Sequence, residues 1–323
     1  MSQESWISGH LHYHQSFYAV VRGFVHPLVV SLAEEGLIDA FFFIRYGLGG
    51  PHVRLRLRVL PGAGEGALEA MQESARRFLQ AEPSTASWSE EMILRTNELY
   101  LVGDPSQENA AYPDNFLRVV PFQPEVERYG GPDLFQPSLD LFTPSSVAAV
   151  EFLFRYADAP RSVQLARAFQ LLLLQARGSA IDEAELADLL RYGVDSMGAD
   201  MPKIVEKADA VARSQMDAFL RLFHEDQSSP ASDLLALGAR RLSHVAGSAG
   251  RAYRARIGGS QLHMTANRLG LANAEEVYLS RLLTATLEEA RLHGGPGEIG
   301  PRDPEPLAAL LPRALSLLAG LPD

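Results

Sequence analysis

A short basic segment offers the clearest candidate chemistry in the chain. Residues 51–58 read Pro-His-Val-Arg-Leu-Arg-Leu-Arg, so basic side chains alternate with aliphatic ones. Successive side chains of a β-strand point to opposite faces, which would place all the basic residues together. These residues are His52, Arg54, Arg56 and Arg58. Because guanidinium groups make paired, charge-assisted hydrogen bonds to carboxylates and phosphates, the pattern predicts a strand with an anion-binding face.

An alternative explanation is an exposed edge strand, where basic residues discourage aggregation. Lysine would serve that purpose equally well. The choice of arginine, in a chain with a net charge of −11, favours a ligand-binding role for Arg54 and Arg56. We expect Arg58 to be peripheral.

Two later segments carry further candidates. Residues 124–131, Pro-Glu-Val-Glu-Arg-Tyr-Gly-Gly, place Glu125 and Arg128 just before a double glycine. An ordinary charged strand end would look similar, since surface ion pairs are common and contribute little. Residues 260–268, Ser-Gln-Leu-His-Met-Thr-Ala-Asn-Arg, place His263 and Asn267 on one helical face. A histidine among apolar residues is more often part of a core, although its ordinary pKa of about 6.5 suits proton transfer.

Composition narrows the classes of function. The chain has 323 residues, of which 46% are hydrophobic, and no cysteine. It can form a substantial core but no disulfide, thiol nucleophile or cysteine-ligated metal site. The 40 acidic side chains outnumber the 29 basic ones, which argues against direct nucleic-acid binding. We see neither a secretory signal nor an apolar run of membrane-spanning length and expect a cytoplasmic protein.

The distribution of elements predicts an α+β fold. An N-terminal antiparallel or mixed β-sheet with flanking helices should precede a mainly helical C-terminal half. Strand patterns occupy residues 6–13, 40–46, 51–59 and 117–129, with a hairpin turn at 47–51. Helical patterns occupy residues 16–36, broken or kinked at Pro27, and 67–81, 145–156, 162–177, 183–197, 203–223, 260–268, 274–292 and 306–319. We expect a single domain over 1–323, strand-rich to about residue 143 and helix-rich from about 144.

Three motifs in this order resemble a known family. They are Phe42–Tyr46 with His52–Arg56, then Glu125–Gly131, then His263-Met264 with Asn267-Arg268. The chain resembles, from Trp6 to its final helices, the C-terminal glutamate-elimination domain of class I lanthipeptide dehydratases. That domain also occurs as a stand-alone protein in thiopeptide biosynthesis. The resemblance implies removal of glutamate from glutamylated serine or threonine of a precursor peptide, leaving dehydroalanine or dehydrobutyrine.

The resemblance also implies roles for individual residues. Arg54, Arg56 and Arg128 would hold the carboxylate of the glutamyl adduct and the developing negative charge. Glu125 matches a second functional position of the same motif, and His263 would be the acid or base. The residues expected to contact substrate are Arg45, Tyr46, His52, Tyr129, Asn267 and Arg268. No cofactor and no metal are expected.

The same resemblance implies partners. A separate subunit would glutamylate the peptide with glutamyl-tRNA, because this chain is too short to contain that domain as well. The substrate would be a precursor peptide held partly by its leader segment. Neither direct nucleic-acid binding nor membrane attachment is expected, and the resemblance is compatible with a homodimer.

Three other interpretations stay open. A pyridine synthase of thiopeptide pathways has the same fold and joins two dehydroalanines by formal [4+2] cycloaddition with expulsion of the leader, but it has no glutamyl carboxylate to bind. A non-catalytic subunit could use the arginines to recruit an acidic peptide. A zinc site at His10, His12 and His14 would use alternate residues of one strand, but no fourth ligand is evident nearby.

Overall fold

A computed structural model describes residues 6–101, 109–225, 228–293, 295 and 307–321. Contacts divide the chain into two compact units. The first runs to Pro124 and includes the chain end from Leu318, and the second covers Glu125–Leu317. Strands of the first unit are β1 (Trp6–His12), β2 (Ile38–Tyr46), β3 (His52–Val59) and β4 (Phe116–Val119). Its helices include α1 (Phe17–Val20), α2 (His26–Glu34), α3 (Gly64–Ala81) and α4 (Glu90–Leu101).

The strands of the first unit form one antiparallel sheet in the order β2-β3-β1-β4. The predicted hairpin joins β2 to β3. Its turn contains two glycines with positive φ, and a Cβ on Gly50 would lie 2.7 Å from the His14 Nε2. The predicted arginine strand is therefore confirmed as β3, with β1 and β2 on either side. Its aliphatic residues Leu55 and Leu57 are fully buried, as their alternation with the arginines predicted.

The apolar segment after β1 is split, as Pro27 predicted. A π-helical turn at Val21–Val25 separates α1 from α2, and Pro27 lies in the first turn of α2. Residues 17–34 are long and apolar enough to meet the length and composition of a membrane span, contrary to the sequence-based expectation. Packing also explains this apolar character, because Phe24 and Val29 are fully buried within the first unit.

The second unit is helical throughout its described elements, which confirms the α+β prediction. Its helices are α5 (Gly131–Tyr156), α6 (Arg161–Ser179), α7 (Glu183–Met197), α8 (Pro202–His224), α9 (Pro230–Val245), α10 (Arg251–Arg268) and α11 (Asn273–Ala290). A last helix, α12, covers Leu307–Ala319. The predicted strand at 117–129 was too long, because β4 ends at Val119 and residues 127–129 form a 3₁₀ turn. Helix α5 then begins at Gly131 rather than 145 and continues through two prolines.

The helix predicted at 260–268 was too short at its N-terminal end. Ser260 is buried inside α10, which begins nine residues earlier at Arg251. Gly258 and Gly259 lower the helix propensity of this segment, so the first half of α10 was not recognised in the sequence. In the structure the same two glycines allow α10 to pack closely on α7. A Cβ on Gly258 would lie 2.5 Å from Leu189 Cδ2, and one on Gly259 would overlap Tyr192.

Candidate active site

The arginine face of β3 is organised around a fixed histidine. Pairing with β1 places His10 opposite Arg54 and His12 opposite His52. The Nδ1–H of His52 donates to the Gly50 carbonyl at 2.8 Å, and its Nε2 accepts from the Arg54 Nε at 3.0 Å. These two bonds define the neutral tautomer, because a carbonyl can only accept and a guanidinium can only donate. Arg54 also lies over the ring of Tyr46, with Cζ 3.5 Å from the centroid.

The histidines of this face are held in the neutral form. Burial, together with the charges of Arg54 and Arg56, lowers the pKa of His10 to about 2. Burial, together with neighbouring basic groups, lowers the pKa of His12 to about 3, and burial also lowers that of His52 well below its ordinary value. The rings of His12 and His52 lie 4.4 Å apart between centroids. Positive charge on this face is therefore confined to guanidinium groups.

The neutral histidines make the stability of the first unit depend on pH. Below about pH 6.5, His10 and His12 gain protons in the unfolded chain. In the folded chain His12 stays neutral down to about pH 3 and His10 down to about pH 2. The unfolded state is then favoured as pH falls. We expect the free energy of unfolding to fall by about 1–3 kcal/mol per pH unit between pH 6 and pH 4. Urea titrations followed by the fluorescence of Trp6 and Trp88, both in this unit, measure this slope.

A substitution of His12 tests whether the neutral histidines cause this pH dependence. His12 is fully buried and neither ring nitrogen has a hydrogen-bond partner among the described residues, so His12→Phe removes a titrating group without breaking such a bond. Because His10, His12 and His52 all contribute, we expect the pH slope to decrease by about a third. His293→Gln, at an exposed position, is the control and should leave the slope unchanged. An unaltered slope in His12→Phe would contradict the assignment.

The remaining arginines of β3 differ in environment. Arg56 is only 8% exposed, and its Cζ lies 5.4 Å from the ring centroids of both Phe42 and Phe122. Arg58 pairs with Asp39 at 2.6 Å, so its charge is largely neutralised. This placement agrees with the expectation that Arg58 is peripheral.

The arginine face contains one residue that was not predicted, Arg118, and lacks one that was predicted to contact substrate, Arg45. Arg118 of β4 lies opposite His10 and therefore on the arginine face, with its Cζ 3.8 Å from the Tyr112 ring centroid. It is not among the residues predicted from the sequence. Arg45, predicted to contact substrate, pairs with Val53 and so points to the opposite face, where it packs over Phe17 at 5.2 Å.

The three N-terminal histidines do not form a metal site. His14 lies beyond the end of β1, and its ring centroid is 6.5 Å from that of His12. Within the described ranges, no three histidine, aspartate or glutamate side chains are grouped closely enough to hold a metal ion.

In the second unit, Glu125 and Arg128 form an ion pair at the start of the chain segment that leads into α5. The Arg128 Nη1 donates to the Glu125 Oε2 at 2.9 Å. Burial of the guanidinium opposes its charge, but Tyr129 and Glu125 outweigh this effect and raise the pKa of Arg128. Gly130 follows with φ of 97°, and a Cβ there would lie 2.9 Å from Ile257 Cδ1, so this turn packs closely on α10.

Helix α10 also carries His263, whose partner is a buried carboxylate. The His263 Nδ1 donates to the Glu276 Oε2 at 2.9 Å, and the His263 side chain is 25% exposed. Because a carboxylate accepts this proton, the lone pair of the neutral ring lies on Nε2. A neutral histidine oriented in this way can take a proton from a substrate. Glu276 was not predicted from the sequence, since an acidic first turn is ordinary for a helix such as α11.

The other residues of the second unit that were predicted to contact substrate occupy half-buried and buried positions. Asn267 is half-buried on the same helical face as His263. Arg268 is fully buried, where its Nη1 donates to the Ser145 Oγ at 3.0 Å and burial lowers its pKa to about 9. Tyr129 is buried too, and its carbonyl accepts from Ser138. The positions of Arg268 and Tyr129 therefore favour structural roles rather than the predicted substrate contacts.

Comparison with known proteins identifies the family. The sequence profile described as lantibiotic biosynthesis dehydratase C-term matches residues 6–287. No curated protein sequence matches significantly. Among solved structures, the chain is similar to TbtD, the pyridine synthase from thiomuracin biosynthesis, with TM-score 0.67 and 20% identity over 87% of this chain and 96% of that chain.

Two further structures share the fold. The tRNA-dependent lantibiotic dehydratase MibB from Microbispora sp. 107891 gives TM-score 0.59 and 19% identity, covering 91% of this chain and 29% of MibB. TsrL gives TM-score 0.51 and 16% identity, covering 96% of this chain and 98% of TsrL. Because the family profile spans most of the sequence, the chain belongs to the lantibiotic dehydratase C-terminal family.

Proposed function

We propose that this protein removes glutamate from glutamylated serine or threonine residues of a ribosomally made precursor peptide. The observation that carries the proposal is the arginine face of β3. There the neutral ring of His52 and the ring of Tyr46 hold Arg54 in place. A cationic group positioned in advance is suited to bind a carboxylate and to stabilise negative charge in a transition state. A glutamyl adduct supplies a carboxylate to bind, and its elimination develops negative charge in the transition state.

The chemistry depends on the leaving group. Hydroxide leaves poorly, because water has a pKa of about 15.7. A glutamyl ester instead releases a γ-carboxylate whose conjugate acid has a pKa of about 4.3. A base takes the α-proton, the Cα–H electron pair forms the Cα=Cβ bond, and the Cβ–O bond breaks with its electrons leaving on the glutamate. The products are dehydroalanine or dehydrobutyrine and free glutamate.

We assign the proton transfer to His263. Glu276 holds its Nδ1–H, so Nε2 is the basic atom of the neutral ring. Arg54 and Arg56 would bind the carboxylates of the glutamyl group, with Arg128, paired to Glu125, as a further cation. This assignment uses only residues of the chain and requires no cofactor.

A separate glutamylating subunit is part of the proposal. The chain aligns with 29% of MibB, whose description is tRNA-dependent lantibiotic dehydratase. The net charge of −11 suits a protein that does not bind tRNA. We propose a cytoplasmic protein that receives glutamylated peptide from this partner.

The direct test uses a synthetic peptide with one glutamylated serine, and in parallel a thiazole peptide that contains two dehydroalanines. Mass spectrometry should show release of glutamate and formation of dehydroalanine from the first peptide. The second peptide should be recovered unchanged. If the first is inert and the second yields a pyridine-containing macrocycle, the elimination function is wrong.

That second outcome would identify a pyridine synthase, which one observation favours. The fold likeness to the pyridine synthase TbtD has a TM-score of 0.67 and covers 87% of this chain and 96% of that chain. Ring formation from two dehydroalanines, however, offers no glutamyl carboxylate for Arg54 and Arg56. The retained arginines therefore favour elimination.

Glu276 provides a test of the positioning of His263. Glu276→Gln keeps a hydrogen-bond acceptor but removes its charge, and a charge-assisted hydrogen bond exceeds a neutral one by roughly 1–1.5 kcal/mol. We expect kcat for elimination to fall by about tenfold, since each 1.36 kcal/mol of barrier is tenfold in rate. Glu275→Gln is the matched control, because Glu275 is adjacent but pairs with Arg161. Equal rates in the two variants would show that Glu276 does not act through His263.

A further inference from the structure

A cavity of about 200 Å³ lies within the second unit, where α5 and α6 meet the end of α8 and the start of α9. The residues that line it include none of those assigned to elimination. Its apolar walls are formed by Phe152, Leu171, Leu174, Leu222 and Phe223. A cavity of about 150 Å³ is enough to hold benzene, so this one has room for a single side chain or a small molecule.

One arginine in the cavity wall, Arg177, has no anionic partner among the described residues. The Arg177 Nη2 donates to the Phe223 carbonyl at 3.0 Å, and its Cζ lies 4.5 Å from the Phe223 ring centroid. Its Nε is buried without a hydrogen-bond partner, and no carboxylate pairs with Arg177, in the described part of the chain. By contrast, Arg155 in the same wall pairs with Glu151 at 2.6 Å.

The bond to Phe223 has a structural use, since it caps the C-terminal end of α8. It occupies only one of the five N–H donors of the guanidinium. Burial without a counter-ion lowers the pKa of Arg177 to about 10. A partly buried cation of this kind gains from an incoming anion that forms hydrogen bonds to its remaining donors.

We propose that this cavity is a second recognition site, which binds an aspartate or glutamate side chain of the precursor peptide outside the residue that reacts. Arg177 would bind the carboxylate, and Leu174 and Phe223 would contact its methylene groups and an apolar neighbour in the peptide. The inference rests on the proposed function only in taking the ligand to be a peptide. It separates peptide recognition in the second unit from the chemistry of glutamate removal.

The test uses three probes that contain no glutamyl ester. These are the blocked peptides acetyl-Leu-Glu-Leu-amide and acetyl-Leu-Gln-Leu-amide and the free acid 4-methylpentanoate. Ligand-observed NMR titrations of the full chain give each Kd. We expect the Glu peptide to bind at least about tenfold more tightly than the Gln peptide, because only the former supplies a charge-assisted bond. Equal affinity of the two peptides, or binding of the free acid alone, overturns the proposal.

Variants locate the binding. Arg177→Gln should remove the difference between the two peptides, whereas Arg161→Gln, an exposed position on the same helix outside the cavity, should preserve it. If Arg177→Gln does not fold, Leu174→Trp fills the cavity while keeping the arginine and should abolish binding of the Glu peptide. Retention of the difference in Arg177→Gln, or of binding in Leu174→Trp, overturns the site.

The outcome is independent of the proposed reaction. If the protein binds the Glu peptide through Arg177 but releases no glutamate from a glutamylated peptide, the elimination function alone fails. If it releases glutamate and shows no Arg177-dependent binding, the recognition site alone fails.

Discussion

Replacing His263 with alanine is expected to slow glutamate elimination by about 10²–10⁴-fold, the usual contribution of a positioned general base. The structure supports this magnitude because the Nδ1 of His263 is bound to Glu276, which orients the ring and leaves Nε2 for the substrate. Single-turnover release of glutamate from a synthetic glutamylated peptide measures the loss directly.

Two comparisons give the His263→Ala result its meaning. His244→Ala, at an exposed position at the end of α9, is the control and should keep full activity. Binding of the glutamylated peptide to His263→Ala should change little, because the histidine acts on a proton rather than on the carboxylate. Full turnover in His263→Ala would instead favour the non-catalytic, peptide-recruiting interpretation.

Replacing Arg54 with lysine is expected to reduce kcat/KM by about 10²-fold, comparable with the loss of one donor that stabilises transition-state charge. Lysine keeps the charge but has no planar fork. It also lacks the Nε–H that bonds to His52 at 3.0 Å and the flat surface that stacks on Tyr46. The variant therefore tests geometry and not charge alone.

Arg58→Lys is the matched control on the same strand. Arg58 alternates with Arg54 in the sequence but pairs with Asp39, so its substitution should alter kcat/KM by less than about twofold. If both lysine variants lose activity equally, overall positive charge matters and the organised position of Arg54 does not. If neither does, β3 does not bind the glutamyl group.

The arginine face could be predicted from sequence because strand alternation has a period of two and needs no knowledge of distant contacts. The same rule explains Arg45, which is one residue out of step with Ile44 and Tyr46 and therefore lies on the other face. Arg268 follows the corresponding helical rule. It lies five residues after His263, more than a full turn, and points into the core.

Other members of the candidate site could not be found in this way. Glu276 meets His263 only because the chain turns between α10 and α11 and brings the first turn of α11 beside His263. A local sequence pattern does not specify the angle or the separation of two successive helices. Arg118 joins the arginine face through the pairing of the four-residue strand β4 with β1. A strand this short has too few residues to establish its register from sequence alone.

The neutral histidines beside Arg54 and Arg56 have a practical consequence for enzymology. His10, His12 and His52 keep the same protonation state from weakly acidic to alkaline solution, so the electrostatic potential of this face is constant over the range in which kinetics are measured. An inflection in a pH–rate profile between pH 5 and pH 8 would therefore not originate from these three imidazoles. Such a profile would report on the proposed proton-transfer step without a background titration from the histidines of the arginine face.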